Sequence, residues 1–123
     1  MPWFVKLEEG VVDRARFDRF LPDHLTWVRE LERLGHHPST GYWRESLGRN
    51  GSGAGGMLLF QAHDFAEAEA IVRGDPLIAS GCVSWILHEW RVVAGELGRG
   101  RTPNGEPKSK PDSKPEPDAE QKS

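Results

Sequence analysis

One cysteine, Cys82, stands among 123 residues, which excludes an internal disulfide framework and a zinc site built from several thiolates. No apolar run approaches the roughly 18 residues that a membrane-spanning helix requires. The opening Met-Pro-Trp-Phe-Val-Lys has neither the basic start nor the apolar stretch of a leader peptide. A cytoplasmic protein with no membrane association is therefore expected. Charge of one sign is scarce as well: 16 basic against 19 acidic residues leave a formal charge of −3, which sets up no strong field toward nucleic acid or anionic lipid. The five tryptophans are not interleaved with basic residues, so they read as core and interface rather than as base-stacking platforms.

Aliphatic side chains nearly vanish after Leu97. From Gly98 to Ser123 only Ala119 is aliphatic, and five of the nine prolines fall between Pro103 and Pro117. Such a segment cannot bury enough apolar surface to offset its ordering entropy, so a disordered tail is expected over 98–123 and one folded domain over 1–97. The tail carries a net charge of +1 and the domain −4. The Gly-Arg-Gly-Arg start of the tail is too small a basic patch to argue for a polyanion partner.

What is present in the domain reads as strand, helix, strand, strand, helix, strand. Trp3-Phe4-Val5-Lys6-Leu7 is aromatic and β-branched, as a strand requires. Pro22 suits the first turn of a helix, where its missing N–H is of no consequence. Leu25, Val28 and Leu31 follow at helical spacing, with Trp27 and Leu34 widening the stripe, and Gly35 offers the C-terminal cap. His37 to Arg44 reads as a second strand, Gly51 to Gly56 as a flexible hairpin turn, and Met57 to Phe60 as a third strand. Asp64 and Glu67 form a capping box for a second helix whose inner face holds Phe65, Ala68, Ile71 and Val72, closed by Gly74. Val83 to Val93 is the last strand.

A βαββαβ order favours an α+β fold with an antiparallel sheet and both helices on one face. The strands nevertheless show apolar groups on both sides. In the last one, Trp85 and Leu87 point one way while Ile86, Trp90 and Val92 point the other. A sheet covered on one face only should alternate more cleanly, so a homodimer with its open sheet faces packed together is expected.

His24 shares a helical stripe with Phe20, Trp27, Leu31 and Leu34. A histidine there is either a hydrogen-bonded core residue or a catalytic group, and the second role needs a partner and a pocket. Asp75 in Gly74-Asp75-Pro76 reads first as the cap of a short turn beginning at Pro76. Capping occupies one carboxylate oxygen and leaves the other for a histidine. Other candidates have ordinary explanations. His36 and His37 are adjacent and point to opposite faces of a strand, so they are no metal pair. Asp64 beside His63 is a helix cap, and His88-Glu89 lacks the helical histidine pair of metalloproteases. The glycine-rich turn has no Lys-Ser/Thr ending and so is no phosphate loop. Cys82 reads as a small buried residue. No metal or cofactor is expected.

The order of Pro22-x-His24-Leu25, Ser39-Thr40-Gly41, Glu67-Ala68-Glu69-Ala70 and Asp75-Pro76-Leu77-Ile78-Ala79-Ser80-Gly81, followed by a long strand, resembles the YciI-like (YCII-related domain) family over roughly residues 3 to 94. The glycine-rich turn and the tail lie outside the resemblance. It implies a ferredoxin-like fold assembled as a dimeric α+β barrel. It also implies a His–Asp dyad at His24 and Asp75 in a pocket lined by Gly41 and Ser80. Some relatives eliminate chloride from chlorinated hydroxyhydroquinones, and the wider barrel group includes muconolactone isomerases and small monooxygenases. Two functions follow as expectations. One is a cofactor-independent lyase or isomerase using His24 and Asp75 on a small carbonyl, enol or ring compound. The other is a dimeric module that binds an unidentified small molecule or a protein without turnover.

Overall fold

A computed structural model describes residues 1–44 and 54–99, in two compact units that divide at Trp90 and Arg91. Among the described residues of the first unit, four strands form one antiparallel sheet in the order β2-β3-β1-β4: β1 (Trp3–Gly10), β2 (Ser39–Tyr42), β3 (Gly55–Gln61) and β4 (Val83–Trp90). Helices α1 (Arg14–Arg33), α2 (Phe65–Arg73) and the single turn α3 (Pro76–Ala79) connect them. This is the ferredoxin-like βαββαβ arrangement expected from the sequence, with α1 and α2 on one face. In the second unit one turn, α4 (Glu96–Arg99), is described. Most of the expected tail, from residue 100 on, lies outside the described residues, as do Gly51 to Gly53 of the expected hairpin turn.

The core joins sheet to helices through Phe4, Leu58, Phe60 and Leu87 on the strands, Leu31 on α1, and Ala68 and Val72 on α2. Each fully buried Leu or Phe of this kind contributes about 1.5–3 kcal/mol. A smaller cluster of Phe17, Leu77, Cys82 and Val83, with Phe20 and Leu21 beside it, fastens the first half of α1 to α3.

Several elements depart from expectation. Helix α1 starts eight residues before Pro22, at Arg14, where the Asp13 side chain accepts a hydrogen bond from the Arg16 N–H at 2.9 Å. Pro22 is therefore a mid-helix residue. Losing its N–H bond and crowding the preceding turn costs about 3 kcal/mol, a cost met by the burial of Phe17, His24 and Leu31 along the same helix. Leu25 and Leu34, expected in the apolar stripe, are exposed. The chain leaves α1 through Gly35 at φ +88°, and His37 follows at φ +50°, outside the second strand rather than in it. In α2, Asp64 caps Glu67 N at 2.8 Å, but the Glu67 carboxylate returns to His63 N at 2.6 Å instead of closing a box on Asp64. Phe65 is half-exposed and meets Phe4 edge-on rather than entering the core. Strand β4 ends at Trp90, so Val92 lies beyond the sheet.

Gly55 and Gly56 belong to β3, not to a flexible turn. A Cβ on Gly56 would strike the Gly41 carbonyl oxygen, and one on Gly55 would lie 2.6 Å from the Glu8 carbonyl oxygen. Both glycines let neighbouring backbones approach. Gly56→Ala is accordingly expected to lower stability by about 1–3 kcal/mol, measured by chemical denaturation. An unchanged midpoint would mean that β2 moves away at no cost.

Candidate active site

The inner face of β1 carries Phe4, Lys6, Glu8 and Gly10, all buried, while Trp3, Val5 and Leu7 turn to the face opposite α1 and α2. Strand periodicity alone would have done the reverse, taking the apolar residues as core and giving Lys6 and Glu8 to water. Two charged side chains thus lie under the helices, 1% and 8% exposed. Buried charges at this position need partners.

Asp75 supplies one. The chain leaves α2 through Gly74, and an extended Asp75 followed by Pro76 starts α3. Asp75 is fully buried, and its carboxylate meets three groups from three elements. Oδ1 accepts a hydrogen bond from the Leu77 N–H at 3.0 Å and lies 2.8 Å from His24 Nδ1 on α1. Oδ2 accepts one from Lys6 Nζ at 2.6 Å. The cap and the histidine therefore share one oxygen, where one each was expected, and the second oxygen is occupied by Lys6. Lys6 Nζ also sits 2.7 Å from Glu8 Oε1, a close charge contact without hydrogen-bond alignment. Trp27 forms a wall beside the group: its ring lies 5.8 Å from the His24 ring and 5.8 Å from Lys6 Nζ.

Burial by itself would raise the Asp75 pKa. The hydrogen bond with His24 and the charge of Lys6 outweigh it and hold the carboxyl below the usual carboxylate range. Asp75 is therefore ionised and can only accept hydrogen bonds. It follows that Nδ1 of His24 carries the proton in their contact, and that a neutral ring presents Nε2 as its basic nitrogen. His24 is the eleventh residue of α1, well inside the helix, so the first-turn dipole effect that a helix starting at Pro22 would impose does not act on it.

The other two expected site residues are placed differently. Ser80 ends α3, and its hydroxyl lies 3.3 Å from the Leu77 carbonyl and 3.1 Å from Cys82 Sγ. Gly41 lies on β2 opposite Met57, with open space where a side chain would be. No hydrogen bond or ion pair joins either residue to His24, or its side chain to Asp75. Lys6 and Glu8 were not singled out from the sequence. The signal available was two opposite charges at i and i+2 of a strand, which ordinarily marks a wet face. Among the described residues, no three His, Cys, Asp or Glu side chains converge as metal ligands, and no helix is long and apolar enough to cross a membrane.

Asp75→Asn is expected to destabilise the fold by about 3 kcal/mol, the low end for breaking a buried ion pair, because Glu8 still compensates Lys6. The depressed pKa of Asp75 also sets a sign. Its contribution is complete above the ordinary carboxylate range, near pH 4, and is lost as pH falls below it. Denaturation followed across acid pH should show a shallower loss in the Asn variant than in the wild type. Equal slopes would mean that Asp75 is not held ionised by the fold.

No curated protein matches the sequence. Among solved structures, the chain is similar to the 5-chloro-2-hydroxyhydroquinone dehydrochlorinase of Burkholderia phenoliruptrix in complex with 2,5-dihydroxybenzoquinone. The TM-score is 0.52 at 15% sequence identity, over 72% of this chain and 93% of that one. At that identity the likeness establishes the fold. The family model of the YCII-related domain matches residues 4–91, the span that holds the sheet, both long helices and the Asp75 turn. The chain belongs to the YCII-related domain family.

Proposed function

We propose that the protein is a small-molecule enzyme, a cofactor-independent lyase or isomerase in which His24 and Asp75 transfer protons on a small carbonyl, enol or ring compound. The observation that carries this reading is the 2.8 Å contact between His24 Nδ1 and the ionised Asp75. It fixes the ring and leaves Nε2 as the base. In an elimination, Nε2 takes a proton from the substrate, the electrons of that bond form a new double bond, and the leaving group departs with its bonding pair. In an isomerisation, the same nitrogen returns the proton to a different atom. The similar dehydrochlorinase acts on a chlorinated hydroxyhydroquinone, which agrees with the first of these. Gly41 and Ser80 enter the reading as pocket-lining residues through the family resemblance, not through contacts with the dyad.

A second reading has its own support. His24 is only 5% exposed and Asp75 is fully buried, as in a structural pair, which suits a module that binds a metabolite or a protein without turnover. Fold alone does not choose between the two. His24→Gln does. With a substrate identified from a screen of enols, lactones and chlorinated phenolics, the variant is expected to lose turnover while keeping ligand affinity within a few-fold. Full turnover in the variant would reject the dyad mechanism, and binding without conversion across the screen would favour the second reading.

The reading includes a homodimer. On the face away from the helices, Ile86 and Trp90 are 54% and 43% exposed, and Met57 lies on the same side. Contiguous apolar surface of this kind marks an interface. Sedimentation is expected to give twice the chain mass, and Ile86→Asp to give the monomer. A monomeric wild type would remove the dimer from the account.

A further inference from the structure

We infer that Lys6 and Glu8 are positioning residues that set the charge of the His24–Asp75 pair: Lys6 grips the outer oxygen of Asp75 and opposes a second positive charge on His24, and Glu8 moderates Lys6. The inference rests on the reading of His24 as a proton-transfer group, and it concerns residues to which the family resemblance assigns no role.

The geometry is a chain of four ionisable side chains, linked from His24 to Asp75 at 2.8 Å, Asp75 to Lys6 at 2.6 Å and Lys6 to Glu8 at 2.7 Å. Lys6, Glu8 and Asp75 are each more than nine-tenths buried, so water screens these contacts poorly. With His24 neutral the cluster holds two negative charges and one positive. A proton on His24 brings it to neutrality. Lys6 and His24 are thus competing cations on one carboxylate, and the balance between them depends on Glu8.

The register and one-turn neighbours of the cluster are uncharged, and from α2 the Arg73 guanidinium, paired with Glu69 at 2.9 Å, lies 5.2 Å from the ring of Trp85. The register neighbours of Lys6 are Leu58 and Leu87, and those of Glu8 are Gly56 and Trp85. Around His24 on its own helix, the residues one turn away are Phe20, Leu21, Trp27 and Val28. From the α3 turn the only ionisable group is Asp75 itself. Removing Lys6 should therefore make His24 easier to protonate, and removing Glu8 should make it harder. Stability alone is a weak reason for a buried lysine here, since apolar residues of similar volume commonly serve as well as a buried ion pair.

The test is a titration of the His24 ring by NMR in the wild type, Lys6→Met, Glu8→Gln and the double variant. Lys6→Met is expected to raise the pH midpoint by about one unit or more, the usual effect of a charge at this range. Glu8→Gln is expected to lower it by a smaller amount. The double variant, which restores the cluster's net charge, should fall between Lys6→Met and the wild type. A merely structural role would not produce shifts of opposite sign. Midpoints of both single variants within about 0.2 unit of wild type, or shifts of the same sign, would overturn the inference. Should Lys6→Met fail to fold, the downward shift in Glu8→Gln decides alone. The titration needs no substrate, so it is independent of the His24→Gln turnover test: loss of the enzymatic reading would leave the charge coupling standing, and the reverse holds too.

Discussion

A single buried carboxylate ties this domain together. Asp75 starts α3, receives the imidazole of α1 and neutralises a lysine that rises from the middle of the sheet, so three elements converge on it. Each partner restrains the carboxylate differently. The Leu77 N–H fixes its place on the backbone, the hydrogen bond with His24 and the charge of Lys6 together keep it ionised, and His24 takes its orientation from that contact. A charge so far from water is tolerable only when its lone pairs are occupied. That requirement makes the local geometry rigid, and rigidity is what a proton-transferring histidine needs of its partner.

The same constraint explains the first half of α1. Residues Arg14 to Leu21 bring Phe17, Phe20 and Leu21 onto Leu77 and Cys82, and Arg16 holds the Ser80 carbonyl at 3.1 Å. Those turns press α3 against the helix that carries His24. The helix continues through Pro22 at the expense of one backbone hydrogen bond because both of its ends are anchored, by Phe17 before the proline and Leu31 after it. Sheet and site are linked in a comparable way. Placing Lys6 and Glu8 beneath the helices obliges Trp3, Val5 and Leu7 to occupy the opposite face, so the site's demand for charge leaves an apolar surface on the other side of the same strand.

Much of the architecture was legible in the sequence. Element order, the four-stranded sheet, and the separation of Trp85 and Leu87 from Ile86 and Trp90 onto opposite faces followed from periodicity and turn residues. The His24–Asp75 pair became legible only through the spacing of family motifs, since the two residues are 51 positions apart and neither is unusual in its own segment. Lys6 and Glu8 stayed hidden for a physical reason. A two-residue period separates the two faces of a strand but does not say which is core, and the apolar alternation of Trp3, Val5 and Leu7 points to the wrong one. Pro22 misled in a similar way, because its preference for helix starts is a statement about isolated helices and not about one held by packing at both ends. Gly55 and Gly56 resemble a turn locally, and only the closeness of β2 and β1 shows them to be strand residues.

The central claim is that Asp75, ionised and fixed, holds the proton of His24 on Nδ1 and leaves Nε2 as the base. Nitrogen chemical shifts of the His24 ring, recorded above its titration, test this most directly. The account expects a protonated Nδ1 and an unprotonated Nε2, with the Nδ1 proton displaced downfield by its bond to a carboxylate. A neutral ring protonated on Nε2 would contradict it.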